Sequence, residues 1–233
     1  MDKRKSYYII LDTETCNGLI EEDKLNLSCS LVYDIGWQVI DKKGNVYESY
    51  SFCVKEIFED EKELMTSAYY ANKIPQYLIE IAEGKRVIEK FFNIRKILFE
   101  NCRKYNVKAI SAHNMRFDYN ALNNTQRWLT KSKYRYFMPY GVQLFDTMFM
   151  ALDTIAKQKG YIRYCKENNY MTKHKIPRPR VTAEILYRYI SGNDNFIEKH
   201  TGLEDVEIEV EIFVVCMSKH KKMRKLLFKE GKK

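Results

Sequence analysis

The chain lacks long apolar runs. No segment of its 233 residues reaches the eighteen or so apolar residues that a membrane-spanning helix needs. The first apolar run follows a few basic residues but stops at Asp12, well short of the hydrophobic region of a secretory signal. We therefore expect a cytoplasmic protein.

Paired cysteines, zinc-binding spacings, internal repeats and low-complexity linkers are also missing. The six cysteines include no C-x-x-C pair, and the four histidines complete no zinc spacing, so free thiols are expected. A hydrophobic content of 45% and an aromatic content of 14% are typical of a packed globular protein. At 233 residues the chain suits one well-buried domain with extensions.

Acidic residues are scarce in two segments of this chain, whose net charge is +9. Residues 218–233 contain eight Lys or Arg against Glu230, and residues 157–180 contain eight against Glu167, with three tyrosines interleaved. Positive charge mixed with aromatic rings suits a nucleic acid, whose bases stack and whose phosphates are anionic. A solvated helix end and an ordinary polar loop are the alternatives.

The stretch "YYIILDTET" is a β-type run that ends on two carboxylates, Asp12 and Glu14. Side chains alternate faces along a strand, so both carboxylates point the same way and repel each other. A cation between them, or a proton on one of them, would relieve the repulsion. Two solvated acids at a strand end are the alternative.

Hydropathy patterns divide the chain into strands followed by alternating helices and strands. Helical spacing is predicted for Glu61 to Glu83, for Arg86 to Tyr105 and for a stretch ending near Leu129. The predicted strands after the first are Ser30 to Asp41, Asn45 to Val54, Val107 to Asn114 and Val142 to Met148. This order indicates a single α/β domain with a mixed sheet.

The segment from Asp205 to Phe213 fits two structures. Its strict alternation of β-branched residues with glutamates favours a strand. Thr201 and Glu204 form a capping-box pattern, and a helical apolar stripe runs on to Met217, which favours a helix. We predict a helix that has Asp205 near its start and His200 just before it.

Three motifs resemble those of the DnaQ-like, DEDDh-type 3′-to-5′ exonucleases, in the order of that family. They are "LDTET" with Gly18, "HNMRFDYNAL" and "HTGLEDVEIE". One departure is that Cys16 and Asn17 both precede the glycine. The resemblance implies a ribonuclease-H-like α/β fold, with a central mixed five-stranded sheet flanked by helices. It implies an exonuclease domain over residues 1–217, followed by a basic tail over residues 218–233.

By motif position, the resemblance implies a general base at His200 and metal ligands at Asp12, Glu14, Asp118 and Asp205. Asp12 would bridge two cations, Mg²⁺ or Mn²⁺, which is a suitable arrangement because paired cations about 3.5–4 Å apart stabilise both oxygens of a phosphodiester displacement. Contacts to the terminal nucleotide are expected from Thr15, Asn114 and Phe117, although core packing explains Phe117 equally well.

The implied activity is hydrolysis at the 3′ end of DNA, preferably single-stranded, with release of nucleoside monophosphates. Trimming of RNA 3′ ends is an alternative, since the motifs do not read the 2′-hydroxyl. An inactive nucleic-acid-binding module with the same fold is another. Proofreading would require a separate polymerase subunit as a partner.

Overall fold

The computed structural model describes residues 4–17, 29–68, 70–130, 136–219 and 222–228. A six-stranded mixed sheet lies at its centre, in the order β4-β3-β2-β1-β5-β6. The strands are β1 (Tyr7–Asn17), β2 (Ser30–Asp41), β3 (Val46–Val54), β4 (Val87–Glu89), β5 (Ala109–Ala112) and β6 (Gln143–Asp146). β1, β2 and β3 are antiparallel neighbours, whereas β1 and β5, β5 and β6, and β3 and β4 are parallel.

Helices cover both faces of the sheet. Two four-residue helices and a nine-residue helix follow β3, and helices of 15 residues follow β4 and β5. The helices are α1 (Lys55–Phe58), α2 (Lys62–Met65), α3 (Ile74–Ala82), α4 (Phe91–Tyr105), α5 (Met115–Leu129), α6 (Thr147–Asp153), α7 (Lys159–Glu167), α8 (Ala183–Ser191) and α9 (Gly202–Ser218). Two 3₁₀ turns occupy Ala71–Lys73 and Ile155–Lys157.

The alternation of β1 separates two hydrophobic cores. Ile9 and Leu11 pack with α4 and α5 on one face. Tyr8 and Ile10 pack on the other face with α6 to α9. Because side chains at every second position share a face, Asp12 and Glu14 lie on the α9 side of the sheet.

The predicted α/β fold with a mixed sheet is confirmed, but the predicted strand count of five is wrong. The sixth strand is β4, which lies within the stretch predicted as helix from Arg86 and pairs with the end of β3. The predicted helix from Glu61 is also interrupted, because α2, a 3₁₀ turn and α3 follow one another there. Long-range pairing explains the first difference, since three residues are too few for a clear period.

The segment that fitted both a strand and a helix is α9, as predicted. Its start lies against β2 with almost no space between the two backbones, because a Cβ added at Gly202 would lie 2.7 Å from the Gly36 nitrogen. The predicted capping box is formed only in part. Thr201 is the N-cap, but its hydroxyl donates a hydrogen bond to the Glu204 carboxylate and accepts none from a backbone N–H of the helix.

Part of the basic tail is packed against the domain. The nitrogen of Asp146 donates to the Lys225 carbonyl at 2.7 Å, and the nitrogen of Leu227 donates to the Leu144 carbonyl at 2.9 Å. Leu227 is only 6% exposed. These contacts extend the sheet beyond β6, while the boundary between residues 217 and 218 stays a prediction.

Two expectations about composition can be compared with this fold. All six cysteines are free, and all but Cys29 are buried. Among the residues that the structure describes, no helix is both long enough and apolar enough to cross a bilayer.

Candidate active site

The carboxylates of β1 meet those of α9 because two long-range contacts hold the start of this helix against the sheet. Asp34 on β2 accepts a hydrogen bond from the Gly202 nitrogen at 2.8 Å. Asp34 is itself held by the Tyr77 hydroxyl at 2.8 Å and by an ion pair with Arg86. The close approach of Gly36 to this helix then leaves Asp205 opposite Glu14.

The resulting cluster lies in a cleft of about 800 Å³. One oxygen of Glu14, one oxygen of Asp205 and one ring nitrogen of His200 all lie within 4.8 Å of one another. Asp12 lines the same cleft. The structure therefore brings together four of the five residues that were predicted to bind metal or act as the base.

Asp118, the fifth, lies behind the cleft wall. It is 1% exposed, it does not line the cleft, and its carboxylate accepts a hydrogen bond from the Thr13 hydroxyl at 2.8 Å. Its charge nevertheless contributes to the raised pKa of Asp12, so the two carboxylates are electrostatic neighbours. Asp118 thus belongs to the cluster, with one oxygen occupied by Thr13.

Burial and mutual repulsion disfavour the charged forms of all these carboxyl groups. Burial is the main cause that raises the pKa of Asp12, followed by the nearby charges of Glu209 and Asp118. Burial likewise raises the pKa of Glu14, followed by the charge of Asp205. The pKa values of Asp118 and Asp205 are raised as well, again mainly by burial. Such a cluster is fully ionised only when a positive charge is placed among its oxygens.

His200 is held by its backbone and by an aromatic neighbour. Its φ of 55° is in the left-handed region, and its nitrogen donates to Asp205 Oδ1 at 3.2 Å. The imidazole stacks on the ring of Tyr70, with centroids 4.2 Å apart and ring planes 9° apart. Burial, followed by the charge of Lys73, lowers the pKa of His200. The ring is therefore neutral near pH 7 and can accept a proton.

Sequence reasoning missed a further carboxylate, Glu209. It is 3% exposed, it lines the cleft, and its Oε2 accepts a hydrogen bond from the His113 nitrogen at 3.0 Å. Burial raises its pKa well above the usual value, as does the charge of Asp118. Its spacing of four residues from Asp205 places both on one face of a helix, and that signal could have identified it.

Glu198 was also missed, and no sequence signal singles it out. It lines the cleft, and its pKa is raised to about 7, mainly by burial and then by the charge of Glu184.

The predicted nucleotide contacts Thr15, Asn114 and Phe117 all line the cleft. Asn114 has a left-handed φ of 70° and precedes α5. Their contact with a nucleotide stays a prediction. Gly18, the displaced glycine of the first motif, lies outside the described residues.

Two other polar residues near the motifs have structural contacts. His113 Nε2 donates to the Val181 carbonyl at 2.6 Å, and burial lowers the pKa of this imidazole to about 4. Asp146 caps α6, because its side chain accepts hydrogen bonds from the backbone nitrogens of Met148 and Phe149.

The donor set suits hard divalent cations. Carboxylate oxygens are the ligands that Mg²⁺ and Mn²⁺ prefer, and no cysteine is found among the described residues that line the cleft. A cation bound among these buried acids would relieve their mutual repulsion.

No family model and no curated protein sequence matches the chain. Solved structures do. The nuclease domain of 3'hExo, a DEDDh family member bound to rAMP, has a TM-score of 0.56 and 14% identity over 97% of this chain and 98% of that one. A full-length 3'-exonuclease has a TM-score of 0.55 and 14% identity over 95% of this chain and 63% of that one.

Exonuclease I of E. coli in complex with a dA16 oligonucleotide has a TM-score of 0.52 and 14% identity. That match covers 90% of this chain and 40% of the other. At these identities the similarities establish the fold. The chain has the fold of DEDDh exonuclease domains, as its three motifs predicted.

Proposed function

We propose that the chain is a metal-dependent 3′-to-5′ exonuclease that hydrolyses phosphodiester bonds at the 3′ end of DNA and releases nucleoside monophosphates. The observation that carries this proposal is the group formed by buried Glu14, buried Asp205 and half-buried His200, in one cleft with Asp12. The fold shared with solved exonuclease domains supports it.

Burial of like charges favours an enzyme over an inactive binding module. Unpaired carboxylates cost free energy when they are removed from water and placed together. A module that only binds nucleic acid gains nothing from retaining Asp12, Glu14 and Asp205 in this arrangement. A catalytic site gains a cation site next to a proton acceptor.

The cluster would hold two divalent cations, with Asp12, Glu14, Asp118 and Asp205 as ligands. Bound there, Mg²⁺ or Mn²⁺ would polarise the phosphoryl oxygens and make the attacking water more acidic. His200 would accept the proton of that water, because its imidazole is neutral and borders both Glu14 and Asp205. The stack on Tyr70 would fix the plane of the accepting ring.

The residues predicted to contact the terminal nucleotide occupy the walls around this cluster. Phe117 is half-buried and would offer a ring to the terminal base. Thr15 and Asn114 would contact the same nucleotide. A preference for single-stranded ends fits such stacking, since the bases of a single strand are free to stack on protein rings.

RNA is the second candidate substrate. The observation that favours it is the rAMP bound to the structurally similar domain of 3'hExo. A separate polymerase subunit as partner and a cytoplasmic location stay predictions.

Incubation of matched 5′-labelled DNA and RNA 20-mers with Mg²⁺, Mn²⁺ or excess chelator tests the proposal. We expect a ladder that shortens from the 3′ end with either metal and no cleavage in chelator. Asp12→Asn should be inactive, whereas Asp153→Asn, which removes a carboxylate paired with Arg224, should retain activity. Full cleavage in chelator would refute metal dependence, and immediate release of the label as a mononucleotide would refute the polarity.

A further inference from the structure

A short hairpin forms one wall of the cleft. We name residues 170–181 the basic arm. The nitrogen of Thr172 donates to the Arg178 carbonyl at 2.8 Å, and the nitrogen of Arg180 donates to the Tyr170 carbonyl at 2.9 Å. An antiparallel bridge between Met171 and Pro179 lies between these bonds. The arm is therefore an ordered two-stranded element with its tip near residues 174–177.

Two hydrogen bonds fix the base of the basic arm relative to the active site. The Tyr161 hydroxyl on α7 donates to the Arg180 carbonyl at 2.6 Å. His113 Nε2 donates to the Val181 carbonyl at 2.6 Å, and the backbone nitrogen of the same histidine donates to Glu209. His113 therefore connects the arm directly to the acidic cluster.

The charge of the basic arm is all of one sign. It carries four cations, Lys173, Lys175, Arg178 and Arg180, and no acidic residue. All four are exposed. None of them forms an ion pair with another residue in the described part of the chain, whereas Arg188 and Arg224 each do. Their charges are therefore available to a ligand.

The cleft thus has an acidic floor and a cationic wall. His174, Arg178 and Arg180 line it together with Asp12 and the other acidic residues. Metal ions bound by the acidic residues at the floor of the cleft would bind the scissile phosphate. The arm would then contact the phosphates on the 5′ side of the scissile phosphate. Lys and Arg bind such phosphates without regard to base sequence.

We propose that the basic arm binds the backbone phosphates upstream of the 3′-terminal nucleotide. This inference rests on the proposed function, because it takes the cleft to hold a nucleic-acid end. The ligand is a single strand with several phosphates. A substrate that has only one phosphate occupies the acidic floor and does not reach the arm.

The test compares a long substrate with a short one. The long substrate is a single-stranded DNA 20-mer, and the short one is the p-nitrophenyl ester of thymidine 5′-monophosphate. The arm variant combines Lys173→Gln and Lys175→Gln, which are exposed cations of the arm outside the cleft lining. A matched control combines Lys42→Gln and Lys43→Gln, which are exposed cations next to Asp41, the residue that pairs with Tyr7 at the opposite end of β1.

The arm variant is expected to bind the 20-mer about 10- to 100-fold more weakly than the wild type at 0.1 M salt. The affinity is measured by fluorescence anisotropy, with Ca²⁺ in place of Mg²⁺ or Mn²⁺. The variant's plot of log affinity against log salt should be shallower by up to about 1.4, since each lost single-strand contact removes roughly 0.7. Hydrolysis of the thymidine ester and the melting temperature should match the wild type. The control variant should change binding by much less.

Unchanged binding of the 20-mer by the arm variant would overturn the proposal. Equal losses of 20-mer binding and ester hydrolysis would also overturn it, because the substitutions would then disturb the acidic site itself. The proposed function fails by a different result, namely wild-type protein that hydrolyses neither substrate with Mg²⁺ or Mn²⁺. Binding of the 20-mer would still decide the role of the arm in that case.

Discussion

Replacing Gly36 with alanine should move the start of α9 and disable the site. A Cβ at this position would lie 2.5 Å from Leu203 Cα and 2.5 Å from the carbonyl carbon of Gly202. Both atoms belong to backbone, so no side-chain rotation relieves the clash. Non-bonded carbon atoms settle at about 3.5–4.0 Å, so the helix start must move by roughly 1 Å.

The movement would separate the two halves of the cluster. Glu14 is on β1, whereas Asp205 is on α9 and His200 lies two residues before that helix begins. A misplacement of about 1 Å can lower a rate on the order of 10²-fold. Overpacking of this kind costs about 1–3 kcal/mol in the free energy of unfolding. We expect both losses for Gly36→Ala.

Single-turnover cleavage of a labelled 20-mer and urea unfolding measure the two effects. Gly160→Ala is the matched control, because a Cβ there meets only the end of the Tyr189 side chain, which can rotate away. The control should keep the wild-type rate. Wild-type cleavage and wild-type stability of Gly36→Ala would show that the backbone contact does not position α9.

His200→Ala should lower turnover on the order of 10²–10⁴-fold while metal binding, followed by calorimetry, persists, because proton transfer is lost and the carboxylates remain. Asp205→Asn should reduce cleavage at least as far and recover in part with more Mn²⁺; a near-normal rate for His200→Ala would contradict its assignment as the base. A pH effect on stability is expected from Glu48. Burial acts to raise the pKa of the Glu48 carboxyl. Hydrogen bonds from Lys104 and Tyr50 outweigh this effect and hold the pKa at about 2, below the ordinary 4.5. The charged form therefore stabilises the fold above about pH 4.5, and this contribution is lost as the pH falls toward 2. Urea unfolding of wild type and Glu48→Gln between these pH values should show a weaker pH dependence in the variant, and identical curves would contradict the prediction.

The sequence predicted most of the sheet because strand periodicity is local. The alternation in β1 was enough to place Asp12 and Glu14 on one face, and the resemblance of the three motifs to those of DEDDh exonucleases implied that Asp205 joins them. The short strand β4 was missed because its three residues gain their structure from pairing with β3. The bonds between the basic arm, Tyr161 and His113 also could not be predicted, because they join distant parts of the chain.

Glu209 marks the limit of what the sequence by itself determined. The pattern around it fits a strand and a helix equally well, and in the strand Glu209 would lie on the polar face. The tertiary structure selects the helix, because Asp34 binds the Gly202 nitrogen 168 residues away and Gly36 admits the helix start beside β2. Glu209 is then buried beside Asp118 and Asp205. Local periodicity determined the candidate strands and ligands, whereas only contacts between distant residues decided which acids became neighbours.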